Sequence, residues 1–183
     1  MKITVIESKR KTISIMVTPE GEVEVRAPLK TKDAVIEKVV KQKKDWIQKK
    51  LEKVQKASQQ AKAQGKLTEK EIKELHDSAK RWIPERVNLY APQIGVTPNR
   101  ITIRKQKTRW GSCSRSGNLN FNCLLMLAPM EVLDSVVVHE LCHLKQMNHS
   151  KAFYDEIYRV FPQYKKWHHW LDENGDVLMK RLG

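Results

Sequence analysis

Three histidines and one glutamate near the C-terminal third of this sequence are the side chains most able to do chemistry. His139, Glu140 and His143 form an H-E-x-x-H pattern, and His149 follows six residues later. On a helix, residues four apart lie about 6 Å apart along the axis and nearly on one face, so both imidazoles can reach one ion. Glu140 lies about 100° around the helix from His139, where its carboxylate can accept a proton from water on that ion. The pattern predicts a metal site with Glu140 as general base.

His149 is the residue that we predict as the third metal ligand. A catalytic zinc site keeps three protein ligands and leaves the fourth position open. Asn148 tolerates the left-handed conformation that ends a helix and turns the next side chain back. A carboxylate from the following helix, Asp155 or Glu156, is the alternative ligand. We expect one zinc ion per chain, although imidazole ligands also accept nickel, cobalt or copper.

The motif lies in a segment whose apolar residues recur at helical steps. Pro129 precedes this segment, and Val132, Val136 and Met147 share the helical spacing of the motif histidines. This context favours a metal site over a chance match or a pair of structural histidines in the core. Two shorter helices, broken at Pro162, are predicted to follow.

Residues 100–122 are predicted to form a hairpin that turns at Gly117. Its returning strand, residues 119–122, is either an interior strand or an edge to which an extended peptide adds through backbone hydrogen bonds. In the second case Asn120 and Asn122 are candidate substrate-binding residues.

A hydrolytic site also needs a donor to the charge that develops on the substrate. Arg109, Tyr154 and Tyr158 are candidates for this role, and the sequence does not choose among them. Gly111 indicates a bulge or a close backbone approach beside the cleft. The adjacent His168 and His169, flanked by tryptophans, point about 100° apart on a helix, so a packing role is favoured over a second metal site.

Short strands and a long basic helix are predicted for the N-terminal region. Residues 2–27 alternate as a hairpin or meander, and a helix follows from Thr31 to Gly65. Between Glu37 and Lys53 there are seven lysines against three acids, which suits either a solvated helix face or a phosphate-binding surface.

A second helix is predicted from Thr68 to about Tyr90, with Pro84 bending or splitting it. We place the only candidate boundary at Gly65. The chain then divides into residues 1–65 and a catalytic region, residues 66–183, unless the two form one continuous domain.

Charge and composition indicate the compartment and the partners. Lys and Arg number 35 against 21 Asp and Glu, a net charge of +14 that favours polyanions and acidic proteins. No segment has the roughly 18 consecutive apolar residues of a membrane span, and the first residues do not read as a signal peptide, so we expect a cytoplasmic protein. We expect the three cysteines to stay reduced.

The motifs together resemble a known family. The run T-R-W-G-S-C-S, which ends at Ser114, is followed about 25 residues later by H-E-L-C-H-L and then N-H-S. These motifs closely resemble the YgjP-like, or SprT-like, minimal metallopeptidases over about residues 100–170. The histidine spacing also equals that of metzincins, but Gln146 stands where they have glycine. The resemblance implies an α+β zincin fold, with a small antiparallel sheet packed on the H-E-x-x-H helix, and metal-dependent peptidase activity.

Two classes of function therefore compete. The first is a zinc peptidase that acts on a protein or peptide substrate. The second is a DNA-associated metalloprotein, as in SprT-like relatives that repair proteins attached to DNA, with nucleic acid bound through the basic helices. An open coordination position beside Glu140 favours catalysis, because a structural zinc site is normally closed by four protein ligands. Hydrolysis of an amide or another small molecule at the same site is a third, weaker candidate.

Overall fold

The computed structural model describes residues 3–182, which form six strands, six α-helices and one 3-10 helix. The strands are β1 (Ile3–Ser8), β2 (Ser14–Val17), β3 (Val23–Pro28), β4 (Arg100–Arg104), β5 (Gly111–Cys113) and β6 (Asn118–Asn122). The helices are α1 (Asp33–Gln42), α2 (Lys44–Gln64), α3 (Glu69–Ile94), α4 (Met130–Cys142), α5 (Lys151–Val160) and α6 (Tyr164–Lys180), and the 3-10 helix is Cys123–Leu127. The chain divides into two compact units, residues 1–63 and 64–183. The boundary suggested from the sequence was after residue 65.

In the first unit, three strands form a sheet in the order β1-β3-β2. The β2–β3 pair is antiparallel, as the hairpin prediction required, and Gly21 has the positive φ of 85° that its turn needs. β1 instead pairs with β3 in parallel, so the sheet is not a meander. Val25 and Ala27 from β3 pack with Ile36 from α1 in the core of this unit.

The long basic helix predicted for residues 31–65 is two helices. α1 ends at Gln42 and α2 begins at Lys44. The backbone N–H of Lys43 donates to the carbonyls of both Val39 and Val40, which closes the end of α1. Since lysine is neither a helix breaker nor a typical cap, the residue type carries no signal for this break.

The second unit begins with α3, a helix of 26 residues. Its start is a capping box, in which Thr68 Oγ1 accepts from the Glu71 N–H at 3.2 Å and Glu71 Oε2 accepts from the Thr68 N–H at 2.7 Å. Of the two effects predicted for Pro84, a split does not occur, because one helix continues through Pro84 to Ile94 and has Gly95 as its C-cap residue. Burial of residues on both sides of the proline, such as Ile83 and Val87, offsets the missing hydrogen bond.

The sheet of the second unit has the order β4-β6-β5 and is mixed, not antiparallel as predicted. The hairpin at Gly117 joins β5 to β6, whereas β4 lies parallel to β6 on its other side. Parallel neighbours require a crossover connection, and the segment that contains β5 provides it. In this order β6 is the central strand, and β5 lies at an edge of the sheet.

α4 is the centre of the core. Val136, Val137, Val138 and Leu141 are all buried, so the helix is covered on every side by α3, the sheet, α5 and α6. The mixed α+β architecture thus confirms the predicted fold class, with a small sheet beside the motif helix. Among the residues described, no helix has the length and apolarity needed to cross a bilayer.

An ion pair joins α3 to α4, the helix that carries the H-E-x-x-H motif. The Arg86 guanidinium donates from Nε and Nη2 to the two carboxylate oxygens of Asp134, each at 2.6 Å. Tyr90 donates its hydroxyl hydrogen to the same carboxylate at 3.1 Å. This bidentate contact fixes the rotation and depth of α4 against α3.

Candidate metal centre

The three predicted histidines converge at the C-terminal end of α4. His139 Nε2 lies 3.1 Å from His143 Nε2 and 3.3 Å from His149 Nε2. His139 is on α4, His143 is its C-cap residue, and His149 lies on the loop before α5. The helix therefore supplies the first pair, and the turn after it returns the third imidazole to them.

This spacing fits a tetrahedral metal ion. Zinc–nitrogen bonds of about 2.0–2.1 Å place two ligands of a tetrahedron about 3.3 Å apart. His143 Nδ1 lies 3.0 Å from the carbonyl oxygen of Gln146, which can only accept, so Nδ1 carries the proton and Nε2 presents a lone pair. The three ligand atoms lie within 4.8 Å of one another, and imidazole nitrogens suit zinc as well as other transition metals. The cluster is the only group of three metal-binding side chains found among the described residues.

His139 is held as a neutral imidazole. Burial is the main cause that lowers its pKa to about 3, and the neighbouring His143, His149 and His168 add to this effect. Its second nitrogen, Nδ1, lies 2.8 Å from the hydroxyl oxygen of Tyr164. At neutral pH the ring is therefore in the uncharged form that binds metal ions.

Glu140 is buried beside the histidines with one oxygen unused. The residue is 6% exposed, and Oε2 has no hydrogen-bond partner in the described part of the chain. Burial raises the pKa of Glu140 to about 8, and the positive charge of Arg109 opposes this shift. A carboxyl group of this kind is protonated at neutral pH unless more positive charge lies beside it. The adjacent imidazole cluster is where a cation would supply that charge, so the arrangement fits a metal site.

Gly111 makes the close backbone approach that its residue type indicated. A Cβ atom at this position would lie 2.6 Å from Oε1 of Glu140 and 2.7 Å from its Cγ. β5 therefore lies directly against the carboxylate. The edge strand that borders the site is β5, whereas residues 119–122 form the interior strand that was one of the two alternatives for them.

Asn122, one of the two candidate substrate-binding asparagines, has its side chain engaged within the fold. It is fully buried, and its amide donates to the carbonyls of Gln106 at 2.7 Å and Arg109 at 3.0 Å. Its side-chain oxygen accepts from the N–H of Leu124 at 3.1 Å. Asn120 is half-buried on the central strand and donates to Ser112 Oγ at 3.2 Å.

The carboxylates considered as alternative third ligands are engaged elsewhere. Glu156 accepts from Lys145 and Arg159 at 2.9 and 2.8 Å, and Arg159 is the main cause that lowers the pKa of Glu156 to about 2. Asp155 pairs with Lys151 at 2.7 Å. Neither belongs to the histidine cluster.

The predicted donors have different neighbours at the site. Arg109 is close enough to Glu140 to affect its pKa. The ring of Tyr154 lies 6.3 Å from that of His149, and the ring of Tyr158 lies 6.1 Å from that of Tyr164. Both tyrosines are partly exposed, at 38% and 40%, so their hydroxyl groups can meet a bound molecule.

The sequence pattern did not indicate Tyr164 as a neighbour of the metal site, and for His168 it favoured a packing role. Tyr164 begins α6, lies 25 residues beyond His139 and shares no periodicity with it. His168 Nδ1 lies 3.4 Å from the Tyr164 hydroxyl oxygen. His169 instead pairs with Glu173 at 3.3 Å, so the two adjacent histidines do point to different partners.

A helix that carries H-E-x-x-H, followed by a further histidine and packed against a small sheet, is the arrangement expected of a metal-dependent hydrolase. A family model described as "YgjP-like, metallopeptidase domain" matches residues 11–73 and 59–174. The chain belongs to this YgjP-like metallopeptidase family, which confirms the resemblance drawn from the motifs. Family membership implies a bound metal ion.

Individual proteins are similar to this chain over part of its length. The UTP pyrophosphatase of Escherichia coli (strain K12) is 51% identical over 78 residues, which cover 42% of this chain and 47% of that protein. The chain thus matches about half the length of this curated relative. Two crystal structures of metallopeptidase zymogens are also similar. Pyrococcus abyssi abylysin has a TM-score of 0.45 and 22% identity over 49% of this chain and 92% of its own. Methanocaldococcus jannaschii jannalysin has a TM-score of 0.44 and 23% identity over 49% and 93%.

Proposed function

We propose that this chain is a zinc-dependent peptidase in which His139, His143 and His149 bind the metal and Glu140 is the general base. The observation that carries the proposal is the convergence of three Nε2 atoms beside a buried carboxylate whose Oε2 has no partner among the described residues. A core built for stability alone would not leave that oxygen unpaired. Membership of a metallopeptidase family supports a peptide bond as the bond that is hydrolysed.

Glu140 performs the proton transfers in this proposal. His139, His143 and His149 would hold the zinc ion, which would supply Lewis-acid chemistry toward a carbonyl group and toward the attacking water. The unpartnered Oε2 of Glu140 accepts the proton of the attacking water and passes it to the leaving amine. Gly111 leaves the carboxylate the room to take this position.

The edge of β5 is the proposed place for an extended substrate. Its one neighbour in the sheet is β6, and Gly111 lies against Glu140, so a peptide added along β5 would bring its backbone next to the base. Arg109, Tyr154 and Tyr158 are the proposed donors to the developing oxyanion.

Metal analysis of untagged protein, combined with a peptide-cleavage screen, tests the proposal. The wild type and Glu140→Gln are expected to contain one zinc per chain, and His149→Ala is expected to lose most of it. Glu140→Gln should cleave peptides at least about 100-fold more slowly than the wild type, the contribution typical of a general base. Equal zinc loss in Glu140→Gln and His149→Ala would contradict the division of roles.

Phosphoanhydride hydrolysis is the second candidate function, favoured by the name of the Escherichia coli relative and by the overall positive charge. The same base and the same polarising ion suit attack on a phosphorus atom, and Arg109 would then face a phosphate group. Incubation of the wild type and Glu140→Gln with UTP, and separately with peptides, distinguishes the two. Release of pyrophosphate by the wild type alone, without peptide cleavage, would replace the first proposal by the second.

Nucleic-acid binding by the first unit is a further, compatible proposal. Residues 1–63 contain sixteen Lys and Arg against eight Asp and Glu. On α2, Trp46 is 42% exposed and is followed at helical spacing by Lys49, Lys53 and Lys56. An exposed aromatic ring beside a row of cations suits single-stranded DNA, with a base stacked on the ring and phosphates along the helix.

Replacing these three lysines by glutamine should reduce the salt dependence of binding to a DNA oligonucleotide. The expected change in the slope of log K against log salt is about 2, since each phosphate contact on a single strand contributes about 0.7. The matched control replaces three exposed lysines of the second unit, Lys66, Lys70 and Lys73, and removes the same charge. An equal effect of both triple variants would indicate general charge attraction and no site on α2.

A further inference from the structure

Tyr164 links a metal-site histidine to a histidine outside the cluster. Its side chain is buried, with the residue 4% exposed, and its hydroxyl oxygen lies 2.8 Å from His139 Nδ1 and 3.4 Å from His168 Nδ1. The three rings are nearly parallel: Tyr164 is inclined by 18° to His139 and by 16° to His168. This geometry forms a short hydrogen-bonded row that leads away from the cluster.

The role of these hydrogen bonds depends on which group of each pair donates and which accepts. A histidine that binds a metal through Nε2 must carry its proton on Nδ1. For His143 this is assured, because its Nδ1 faces the carbonyl oxygen of Gln146, which cannot donate. His139 faces a hydroxyl group, which can either accept from Nδ1–H or donate to a bare Nδ1. The second arrangement would put the proton on Nε2, between the histidines, and block the site.

We propose that Tyr164 and His168 are positioning residues that hold His139 in the Nδ1–H tautomer. His139 donates from Nδ1 to the Tyr164 oxygen, and Tyr164 donates its own hydrogen to His168 Nδ1. With its hydrogen committed to His168, the hydroxyl group is an acceptor toward His139, as the carbonyl of Gln146 is toward His143. The inference rests on the proposed metal site and adds the residues that prepare it.

The burial of Tyr164 supports a positioning role over contact with substrate. Phe153 packs edge-on against His139 with ring centroids 5.1 Å apart, so His139 is enclosed by aromatic rings and its Nδ1 faces Tyr164. Loss of an outer partner of a metal ligand typically weakens metal binding by about 10- to 100-fold.

Zinc affinity, measured by competition with a chelator, tests the proposal in Tyr164→Phe. The variant keeps the ring and removes the hydroxyl group, and its zinc dissociation constant is expected to rise by about 10- to 100-fold. The matched control is Tyr158→Phe, which removes a hydroxyl group from a partly exposed tyrosine whose ring is 6.1 Å away. The control should bind zinc as the wild type does. Equal affinity of wild type and Tyr164→Phe would overturn the proposal.

The role of His168 is tested by two variants that differ in hydrogen-bonding ability. His168→Asn keeps an acceptor for the tyrosine hydrogen, and His168→Leu does not. Zinc affinity should fall in the leucine variant and be largely retained in the asparagine variant. In the cobalt-loaded proteins, visible absorption bands should shift for Tyr164→Phe and His168→Leu and stay unchanged for Tyr158→Phe. A leucine variant with wild-type affinity and spectrum would remove His168 from the proposal.

Nitrogen NMR of the metal-free protein separates this inference from the proposed function. The ¹⁵N shifts of His139 should report the Nδ1–H tautomer in the wild type and a mixture of tautomers in Tyr164→Phe. An Nε2–H tautomer in the wild type would overturn the inference even if the protein binds zinc. The expected tautomers in a wild type that binds no zinc would support the hydrogen-bonded row and overturn the metal site.

Discussion

Replacing Gly111 by alanine places a methyl group in the space that the Glu140 side chain occupies. The new Cβ would lie 2.6, 2.7 and 2.9 Å from Oε1, Cγ and Cδ of Glu140. Carbon atoms in contact are normally about 3.5–4.0 Å apart, so the side chain must move by roughly 1 Å. Glu140 is 6% exposed, which leaves the surrounding atoms little room to yield. Forced packing of this kind typically costs about 1–3 kcal/mol.

The displaced base should slow catalysis more than it weakens metal binding. A misplacement of about 1 Å lowers rates by about 100-fold, and the three atoms nearest to the new methyl group all belong to Glu140, not to a histidine of the cluster. Activity is measured with the substrate found in the screen, zinc content by mass spectrometry, and the free energy of unfolding by urea titration of the metal-free protein. We expect reduced turnover, retained zinc and a loss of stability in the range given above.

A double-mutant cycle isolates the steric cause. In the Glu140→Ala background the three clashing atoms are absent, so Gly111→Ala should cost much less unfolding free energy there than in the wild type. Glu140→Ala alone is the reference for that comparison. If Gly111→Ala costs the same in both backgrounds, or leaves turnover unchanged, the close approach of β5 to the carboxylate does not constrain the base.

Three further predictions concern stability. Arg86→Leu leaves the buried Asp134 carboxylate, 6% exposed, without its ion-pair partner and should lower the free energy of unfolding by about 3–5 kcal/mol in urea titration. Asn122→Ala removes a buried amide that serves two carbonyls and one N–H, and thermal unfolding should show a loss of about 1–3 kcal/mol. The pKa of Glu156 is about 2 in the folded chain against its ordinary 4.5, so this group stabilises the fold above about pH 4.5 and loses that effect as the pH falls toward 2. Because its basic partners are 41% and 53% exposed, the effect should be about 1 kcal/mol, and Glu156→Gln should remove this part of the pH dependence in acid unfolding curves.

The local features of the metal centre could be predicted from the sequence. The i, i+4 spacing of His139 and His143 sets their relation on any helix, and the capping box at Thr68 sets the start of α3. His149 could be chosen as the third histidine because it follows the helix closely on a short turn. Each of these follows from residues within about ten positions, where backbone geometry alone determines what can meet.

The features that the sequence did not determine depend on contacts between distant segments. Alternation predicts a strand but not its partner, so the parallel pairing of β4 with β6, and with it the position of β5 at the edge, required the packed sheet. Tyr164 reaches His139 only because α6 packs on α4. Glycine at position 111 is permissive in any loop, and its role appears only where β5 meets Glu140. Side-chain chemistry and helical spacing are local properties of the chain. The strand that borders Glu140 and the hydroxyl group that contacts His139 depend instead on how distant segments pack in the core.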